Sequence, residues 1–290
     1  MKKSYFLLHI AVLLLGFSAV FGKLISFNEG LLVWYRLLFS AIILFFVLKF
    51  FKVNNHISLK EKFDIAKVGM VITMSWVFFY ASIKYSNISI AVVCACLASF
   101  FTAVFEPFIN KTSFRPSEFL LSALTMLGIG LIFHFDASYR LGIALGVVSP
   151  AFLALYAIYN ERLIKTYDSK QINYYQMIGG TIGLGLLLPI YLHFFQVKSI
   201  FPDLKDTLWL ILLSLFCTVF VYVSFTEALK KISAFTVNLS INLEPIYSII
   251  LAFLFFDESK EVNVWFYIGL FLAIASVILQ TLIFVRNGKN

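Results

Sequence analysis

The sequence has little charge and little cysteine. Only 13% of its 290 residues are Asp, Glu, Lys or Arg, whereas soluble domains carry about 25%. That shortage leaves too little charge to cover a water-soluble globule of this length, which excludes a cytosolic enzyme and a disordered chain. The three cysteines all lie in apolar runs, and Cys94 and Cys96, two residues apart on a helix, do not face each other. A secreted disulfide framework and a zinc site are therefore not expected.

The sequence is rich in apolar residues. They make up 61% of the chain, with 34 phenylalanines, and the mean hydropathy is +0.93. Several runs reach the roughly 18–20 residues that a helix needs to cross a hydrocarbon core. The first run continues past Phe17, Val20 and Phe21 without a small-residue cleavage site, so it is interpreted as a membrane helix rather than a signal peptide. The composition predicts an integral membrane protein.

A window of about 19 residues predicts ten membrane helices. The predicted spans are 4–25, 30–50, 65–84, 88–110, 118–135, 141–160, 172–195, 207–229, 233–256 and 262–286. The connections between them are too short for a soluble domain, the longest being near 51–64 and 196–206. We therefore expect an all-α integral membrane protein whose function resides in its helices.

Lys and Arg are unevenly distributed between the two sides of these helices. With the N-terminus in the cytoplasm, sixteen fall on the cytoplasmic side and six on the other, while Arg36 lies inside a span. Positive residues favour the cytoplasmic side of membrane proteins. The bias predicts an even number of helices and places both termini in the cytoplasm. The net charge of +8 is scattered through short loops and forms no basic helix, so nucleic acid is not an expected partner.

The second half of the sequence echoes the first. At an offset of 139, residues 17–25 align with 156–164, and Tyr35-Arg36 align with Tyr174-Tyr175. Further along the chain the offset becomes 146, where Lys84 aligns with Lys230 and residues 97–99 align with 243–245. Each half has five predicted helices, and an odd number turns the second copy upside down relative to the first. Such inverted repeats are typical of alternating-access transporters, with the substrate site near the midplane. We predict two repeats, residues 1–137 and 138–290.

Five segments resemble the EamA-type drug/metabolite transporter family. They are FGKLI (21–25), WYRLLFSA (34–41), FYASIKYSNISIAVV (79–93), FVYVSFTEALKKISA (220–234) and LEPIYSIILAFLFFDES (243–259). The sequence departs from the family at the end of the fourth helix, EPFINKTSF (106–114), where the family commonly has a glycine-glutamate ending. The resemblance implies ten helices in two five-helix repeats and the export of amino acids or related metabolites. With the minimal loops, it also implies a bacterial inner membrane.

Ionisable residues inside the spans are candidates for function because a charge in lipid is costly. Glu244 lies about eleven residues into the ninth span, close to the midplane at 1.5 Å per residue. Pro245 follows it and leaves a main-chain carbonyl without its donor. The Glu244 carboxylate could bind an amino or cationic group or carry a proton. It could also hydrogen-bond structurally to neighbours, and Asn238 and Asn242 would serve either role.

Arg36, in the second span, has two possible roles. It could snorkel to the interface, or it could bind a substrate carboxylate through its bidentate fork. Tyr35, Trp76 and Tyr80 are candidates to line the same cavity, although aromatic residues near helix ends also form interfacial belts. Tyr156 brings a further hydroxyl into the sixth helix. These four aromatic residues complete the predicted substrate-binding set.

Two glutamates lie near the predicted cytoplasmic ends of their helices. Glu106 could pair with Lys111, and Glu227 with Lys230 or Lys231, or both could simply reach water. Ion pairs of this kind that break when the inner side opens would make Glu106 and Glu227 gate or coupling residues. The sequence contains no nucleotide-binding loop, catalytic motif or carboxylate-rich metal cluster, so neither an enzyme nor a cofactor is expected.

Two functions remain open. The leading hypothesis is a monomeric secondary transporter that moves a small metabolite outward by alternating access. Its energy would come from the substrate gradient or from proton exchange through Glu244. The alternative is a flippase for a lipid or lipid-linked solute, which needs only a groove and a headgroup site such as Arg36.

Overall fold

The computed structural model describes residues 2–53, 57–111, 113, 116–135, 137–197, 199–224 and 243–287, and their regular secondary structure is entirely helical. The helices are α1 (Lys2–Leu24), α2 (Glu29–Phe50), α3 (Leu59–Tyr85), α4 (Ile88–Ala95), α5 (Ala98–Asn110), α6 (Pro116–Phe135), α7 (Arg140–Ile164), α8 (Ser169–Phe194), α9 (Leu204–Ser214), α10 (Glu244–Phe256) and α11 (Val264–Asn287). A π-helical turn, Leu215–Phe220, continues α9. Short 3-10 turns, Ala137–Tyr139 and Glu258–Lys260, precede α7 and follow α10.

Six helical segments in the described part of the chain are long and apolar enough to cross a membrane. They are α2, α3, α4 together with α5, α7, α8, and α9 with its extension to Ser224. Shorter apolar helices lie within α1, α6, α10 and α11. Large apolar side chains such as Phe46, Phe50 and Leu186 are exposed on the outer faces of the bundle, which suits contact with lipid rather than water. The chain is a helical, multi-pass membrane protein, as the composition predicts.

Polar residues mark the helix starts. Asn28, Asn87, Asp168 and Asp203 each accept a hydrogen bond from a backbone N–H in the first turn of α2, α4, α8 and α9. The predicted start of the third helix at residue 65 is wrong, because Ser58 and Glu61 form a capping box and start α3 at Leu59. The predicted connection 51–64 is therefore shorter than expected.

Glycines bring the central helices together. α3 packs against both α7 and α8. At Gly69 and at Gly179 an added Cβ would collide with the backbone of the facing helix, at Gln176 and at Ala66. Close approach at small residues is the usual way in which membrane helices gain contact.

The bundle has two ends with different polar contacts. At the Glu258 end, named after the residue that follows α10, the Lys84 ammonium donates to the Ile25 carbonyl over 2.8 Å. There Ser82 also donates to the Gly142 carbonyl over 2.8 Å. Thus α1 ends where α7 begins, and these two helices run in opposite directions. At the other end, the Tyr167 end, the Tyr167 hydroxyl donates to the Glu61 carboxylate over 3.0 Å.

The helices α5 and α10 end in the same uncommon way. Their C-cap residues, Lys111 and Asp257, have left-handed backbone with φ of 54° and 55°. Non-glycine residues adopt this conformation infrequently. Lys111 and Asp257 are separated along the chain by the same offset that aligns Lys84 with Lys230. The shared backbone geometry supports α5 and α10 as equivalent elements of the two halves.

Candidate functional site

A buried guanidinium lies at the centre of the bundle. Arg36 on α2 is only 2% exposed. Its Nε donates to Thr218 Oγ1 over 3.0 Å, and its Nη1 donates to the Tyr80 hydroxyl over 2.7 Å and to Ser18 Oγ over 3.3 Å. Arg36 therefore does not snorkel to the interface but points into the protein. We call Ser18, Arg36, Trp76, Tyr80 and Thr218 the central cluster.

Two aromatic residues of α3 support this cation. The guanidinium carbon of Arg36 lies 3.8 Å from the ring centroid of Trp76, a cation–π contact. The Tyr80 hydroxyl is 2.9 Å from Ser18 Oγ, which ties α3 to α1. Gly22, one turn further along α1, leaves the space that the Tyr80 ring occupies, since a Cβ there would collide with the ring. The structure thus brings Trp76 and Tyr80 into direct contact with Arg36.

The second half contributes Thr218, which contacts the cation, and a separate polar network around Tyr156. Thr218 lies in the π-helical turn after α9, a distortion that is frequent at functional sites. Tyr156 on α7 is buried, and its hydroxyl donates to Gln176 Oε1 over 3.3 Å. Gln176 Nε2 in turn donates to Asn160 Oδ1 over 2.9 Å.

Glu244 is an acidic residue of the second half that interacts electrostatically with Arg36. It is the first residue of α10 and is partly buried. Its carboxylate is close enough to Arg36 for their charges to interact, but no ion pair or hydrogen bond joins Glu244 to another residue in the described part of the chain. Pro245 lies in the first turn of α10, where the missing N–H would lack an intrahelical partner anyway.

Tyr35, which the sequence places with Arg36, makes its contacts outside the central cluster. Its ring stacks on Phe27 with centroids 5.6 Å apart, and its hydroxyl donates to the Ile200 carbonyl over 3.1 Å. Tyr35 precedes Arg36 on α2, and neighbouring residues of a helix point in different directions. Tyr35 therefore connects α2 to the segment before α9.

Glu106, one of the two predicted gate or coupling residues, lies on α5. Glu106 is partly buried on α5 and forms no salt bridge with Lys111 or with any other described cation. Lys111 takes the left-handed cap of that helix. Three further predicted residues, Glu227, Asn238 and Asn242, lie outside the described residues.

The Glu258 end is closed by a buried carboxylate. The Glu258 side chain is 0% exposed and accepts from the Lys23 ammonium over 2.8 Å. It also accepts from the backbone N–H groups of Ile88 and Ser89, over 2.9 and 2.8 Å, and from Ser89 Oγ over 2.7 Å. Glu258 thus follows a helix of the second half but accepts hydrogen bonds from the free backbone N–H groups at the start of α4 in the first half. The helix dipole favours negative charge at that position. Close by, Asp206 accepts from the N–H and hydroxyl of Ser26.

The Tyr167 end is closed by weaker contacts. Arg162 at the end of α7 donates through Nη2 to the Ile109 carbonyl over 2.7 Å and to Asn110 Oδ1 over 2.6 Å, at the exposed end of α5. The carboxylate of Glu61, which accepts from the Tyr167 hydroxyl, raises the pKa of that tyrosine above its ordinary value. Both contacts again join one half of the chain to the other.

Sequence reasoning missed the closures at both ends. Glu258 lies in the FFDES segment that carries the family resemblance, and Lys23 lies in FGKLI, but neither residue stands out within its segment. A usable signal existed, because the offset of 139 aligns Lys23 with Arg162. Their acceptors, Glu258 and Asn110, could not be found in this way, because they are distant in sequence.

Comparison with known proteins identifies the family. The profile of the EamA-like transporter family matches the chain twice, at residues 2–134 and 140–282. An "uncharacterized transporter" of Haemophilus influenzae is 26% identical over 277 residues, covering 88% of this chain and 86% of that protein. A second, from Clostridium kluyveri, is 24% identical and covers 96% of this chain and 93% of that protein.

A solved structure shares the fold. A solved structure titled "Crystal structure of protein" superposes on this chain with a TM-score of 0.63 at 13% sequence identity. The superposition covers 97% of this chain and 98% of that chain. At such identity the likeness concerns the fold alone. The paired profile matches decide the family: together they cover nearly the whole chain and confirm the resemblance of the five segments. This multi-pass helical membrane protein belongs to the EamA-like transporter family.

Proposed function

We propose that this transporter is a secondary carrier that exports amino acids or related small metabolites by alternating access, with the central cluster and Glu244 as its substrate site. The observation that carries the proposal is a buried guanidinium without an ion-pair partner among the described residues. Within that part of the chain, no carboxylate lies within 4.0 Å of Arg36, and its hydrogen bonds to Ser18, Tyr80 and Thr218 all come from Nε and Nη1.

An uncompensated buried charge is costly, and it is retained where function uses it. A substrate carboxylate can accept from Nη2 of Arg36 and receive a charge-assisted hydrogen bond in place of water. The Trp76 face and the hydroxyls of Ser18, Tyr80 and Thr218 hold the guanidinium in place before the substrate arrives. Such preorganisation reduces the cost of ordering the site on binding.

Glu244 adds a negative group to the proposed site, which then suits a substrate that carries both a positive and a negative charge. Its carboxylate interacts electrostatically with Arg36 without contacting it, so it is available to a substrate ammonium. The two side chains come from opposite halves of the chain, which agrees with the expected position of a substrate site between two repeats. Together they suit the carboxylate and ammonium of an amino acid.

The helix count and directions support alternating access. The six long apolar segments and the four shorter apolar helices would make ten spans, five in residues 1–137 and five in 138–290. The opposite directions of α1 and α7, and the shared caps at Lys111 and Asp257, are what an inverted repeat requires. A single chain that contains both halves has no need of a second copy, so the carrier is proposed to be monomeric.

The lysine and arginine distribution supports the bacterial inner membrane with both termini in the cytoplasm. The Glu258 end then faces outward and the Tyr167 end faces the cytoplasm. A lipid flippase would need a headgroup site that opens to the bilayer. The 2% exposure of Arg36 instead favours a small solute enclosed by the bundle.

Counterflow in proteoliposomes tests the proposal. Vesicles are loaded with unlabelled amino acids, sugars or nucleosides, and uptake of the labelled compound is followed without an imposed gradient. We expect exchange of neutral amino acids by the native protein and its loss in Arg36→Gln. Arg140→Gln is the matched control, because Arg140 is exposed and also lies over an aromatic ring, that of Phe133. No movement of any compound would reject the carrier and call for a lipid-scrambling assay.

A further inference from the structure

The two halves place a cation at equivalent positions at the ends of α1 and α7. At an offset of 139, Lys23 aligns with Arg162. Lys23 reaches Glu258, directly after α10, and Arg162 reaches Ile109 and Asn110, the last residues of α5. The helices α10 and α5 are themselves equivalent by their left-handed caps, which lie at the repeat offset of 146. One repeated contact thus occurs twice, once at each end of the bundle.

Both contacts join one half of the chain to the other. Lys23 in the first half contacts the end of a second-half helix, and Arg162 in the second half contacts the end of a first-half helix. Any rocking of the halves that opens one end must break the contact at that end and leave the other intact. We define Lys23–Glu258 as the outer latch and Arg162–Asn110 as the inner latch.

We infer that these two latches are the alternating gates of the carrier, and that the outer latch is the stronger. The inference rests on the proposed transport by alternating access and adds the residues that close each side. In this inference Arg162, rather than Glu106, is the gate residue of the inner side. Glu106 forms no salt bridge in the described part of the chain.

The chemistry of the acceptors explains the difference in strength. The Glu258 carboxyl group is fully buried and accepts four hydrogen bonds, one from the Lys23 ammonium and three from Ile88 and Ser89 in the first turn of α4. Charge-assisted hydrogen bonds away from water are the strong ones. The acceptors of Arg162 are an amide oxygen and a carbonyl, both uncharged, and Arg162 itself is exposed, so the contact contributes less. The resting protein is therefore held shut more firmly on the outer side.

Sided cysteine labelling of the full-length protein tests this inference without a substrate. Ser18→Cys places a reporter in the central cluster, in a background where Cys94, Cys96 and Cys217 are replaced by alanine. A membrane-impermeant maleimide is then added to right-side-out or inverted vesicles. Glu258→Gln removes the outer charge, and Arg162→Gln removes the inner cation.

Each latch variant has a matched control nearby. Asp257→Asn makes the same change of charge next to Glu258, at a carboxylate that is 73% exposed, and Asn tolerates the left-handed backbone of that position. Lys165→Gln removes a cation one turn beyond Arg162, from an exposed pair with Glu161. Neither control touches a latch.

We expect opposite results from the two variants. Glu258→Gln should raise labelling from the outside by about tenfold relative to Asp257→Asn, since one charged partner of a buried network is lost. Arg162→Gln should raise labelling from the inside by about threefold relative to Lys165→Gln, because an exposed contact is weaker. Labelling equal to that of the controls, or an increase from the same side in both variants, would overturn the inference.

Hydrogen exchange in nanodiscs keeps the test decisive if the cysteine-free background folds poorly. This measurement leaves Cys94, Cys96 and Cys217 in place and follows amide exchange in peptides that cover the first turn of α4. We expect Glu258→Gln to speed exchange of the Ile88 and Ser89 amides, and Arg162→Gln to leave them unchanged. Equal exchange in all variants would again reject the outer latch. Failure of counterflow together with the expected labelling would reject the proposed substrate but not the latches.

Discussion

The two halves of the molecule carry unlike side chains at equivalent positions. Arg36 in the first half corresponds to Tyr175 in the second at an offset of 139, and Trp76 corresponds to Tyr222 at an offset of 146. The first half thus supplies the cation and its aromatic face, whereas the second supplies hydroxyls, amides and the Glu244 carboxylate. The repeat preserves the helices while its side chains diverge. The proposed site therefore has two chemically different sides, which would suit a substrate with one positive and one negative end.

Removing the charge of the first half should have the largest effect. Arg36→Gln removes the cation and leaves the hydroxyls of Tyr80 and Thr218 without their donor, so we expect counterflow to fall by about a hundredfold, the scale of about 3 kcal/mol for a broken buried charged contact. Arg36→Lys should recover part of the activity, because it restores the charge but not the fork. Tyr175→Phe, the equivalent change in the second half, is the control and should change counterflow by less than about threefold. Equal losses would refute the asymmetry of the halves.

Filling the space beside Tyr80 should have the next largest effect. Gly22→Ala places a methyl group where the Tyr80 ring lies, so α1 or α3 must shift. We expect a loss of stability of about 1–3 kcal/mol, as for other overpacked sites, measured by thermal unfolding in detergent. Gly130→Ala is the control, since no described atom lies within 4 Å of the added Cβ there. Equal melting temperatures for the two variants would mean that the Tyr80 ring has another position.

Neutralising the second-half carboxylate tests the other side of the site. Glu244→Gln should lower counterflow of neutral amino acids about tenfold, the scale of one charged hydrogen bond, with the protein still folded in the membrane. If Glu244 also exchanges protons, the variant should lose the pH dependence of transport that the native protein shows. Glu161→Gln, at an exposed pair on α7, is the control. Native kinetics at every pH in Glu244→Gln would remove Glu244 from the mechanism.

The smallest effect is expected from a single hydroxyl of the second half. Tyr156→Phe removes the hydrogen bond to Gln176 but keeps the buried ring. We expect a change of about 0.5–1.5 kcal/mol in stability and at most about a threefold change in half-saturation concentration, measured by thermal unfolding and by counterflow. Tyr159→Phe, an exposed tyrosine on the same helix, should change neither. A loss as large as that of Arg36→Gln would mean that the second half anchors the substrate.

Much of the architecture was predictable, because lipid imposes strong rules on sequence. Helix length and apolar composition predict the membrane helices, and the rarity of intramembrane charge points to Arg36 and Glu244. Sequence patterns predict less where one local contact decides the outcome. The capping box at Ser58 starts α3 early, and the direction of Tyr35 depends on packing against Phe27.

The sequence by itself determined the class of the protein, its repeated organisation and the residues that carry charge within the helices. Those properties follow from composition and from the offset between the halves, which need no three-dimensional information. Only the tertiary structure decided that Arg36 rests on Trp76 without an ion pair to any described carboxylate, and that Glu258 closes the end of α4. Glu258 and Ile88 are 170 residues apart, and a contact of that separation depends on how the helices pack, which no local pattern encodes.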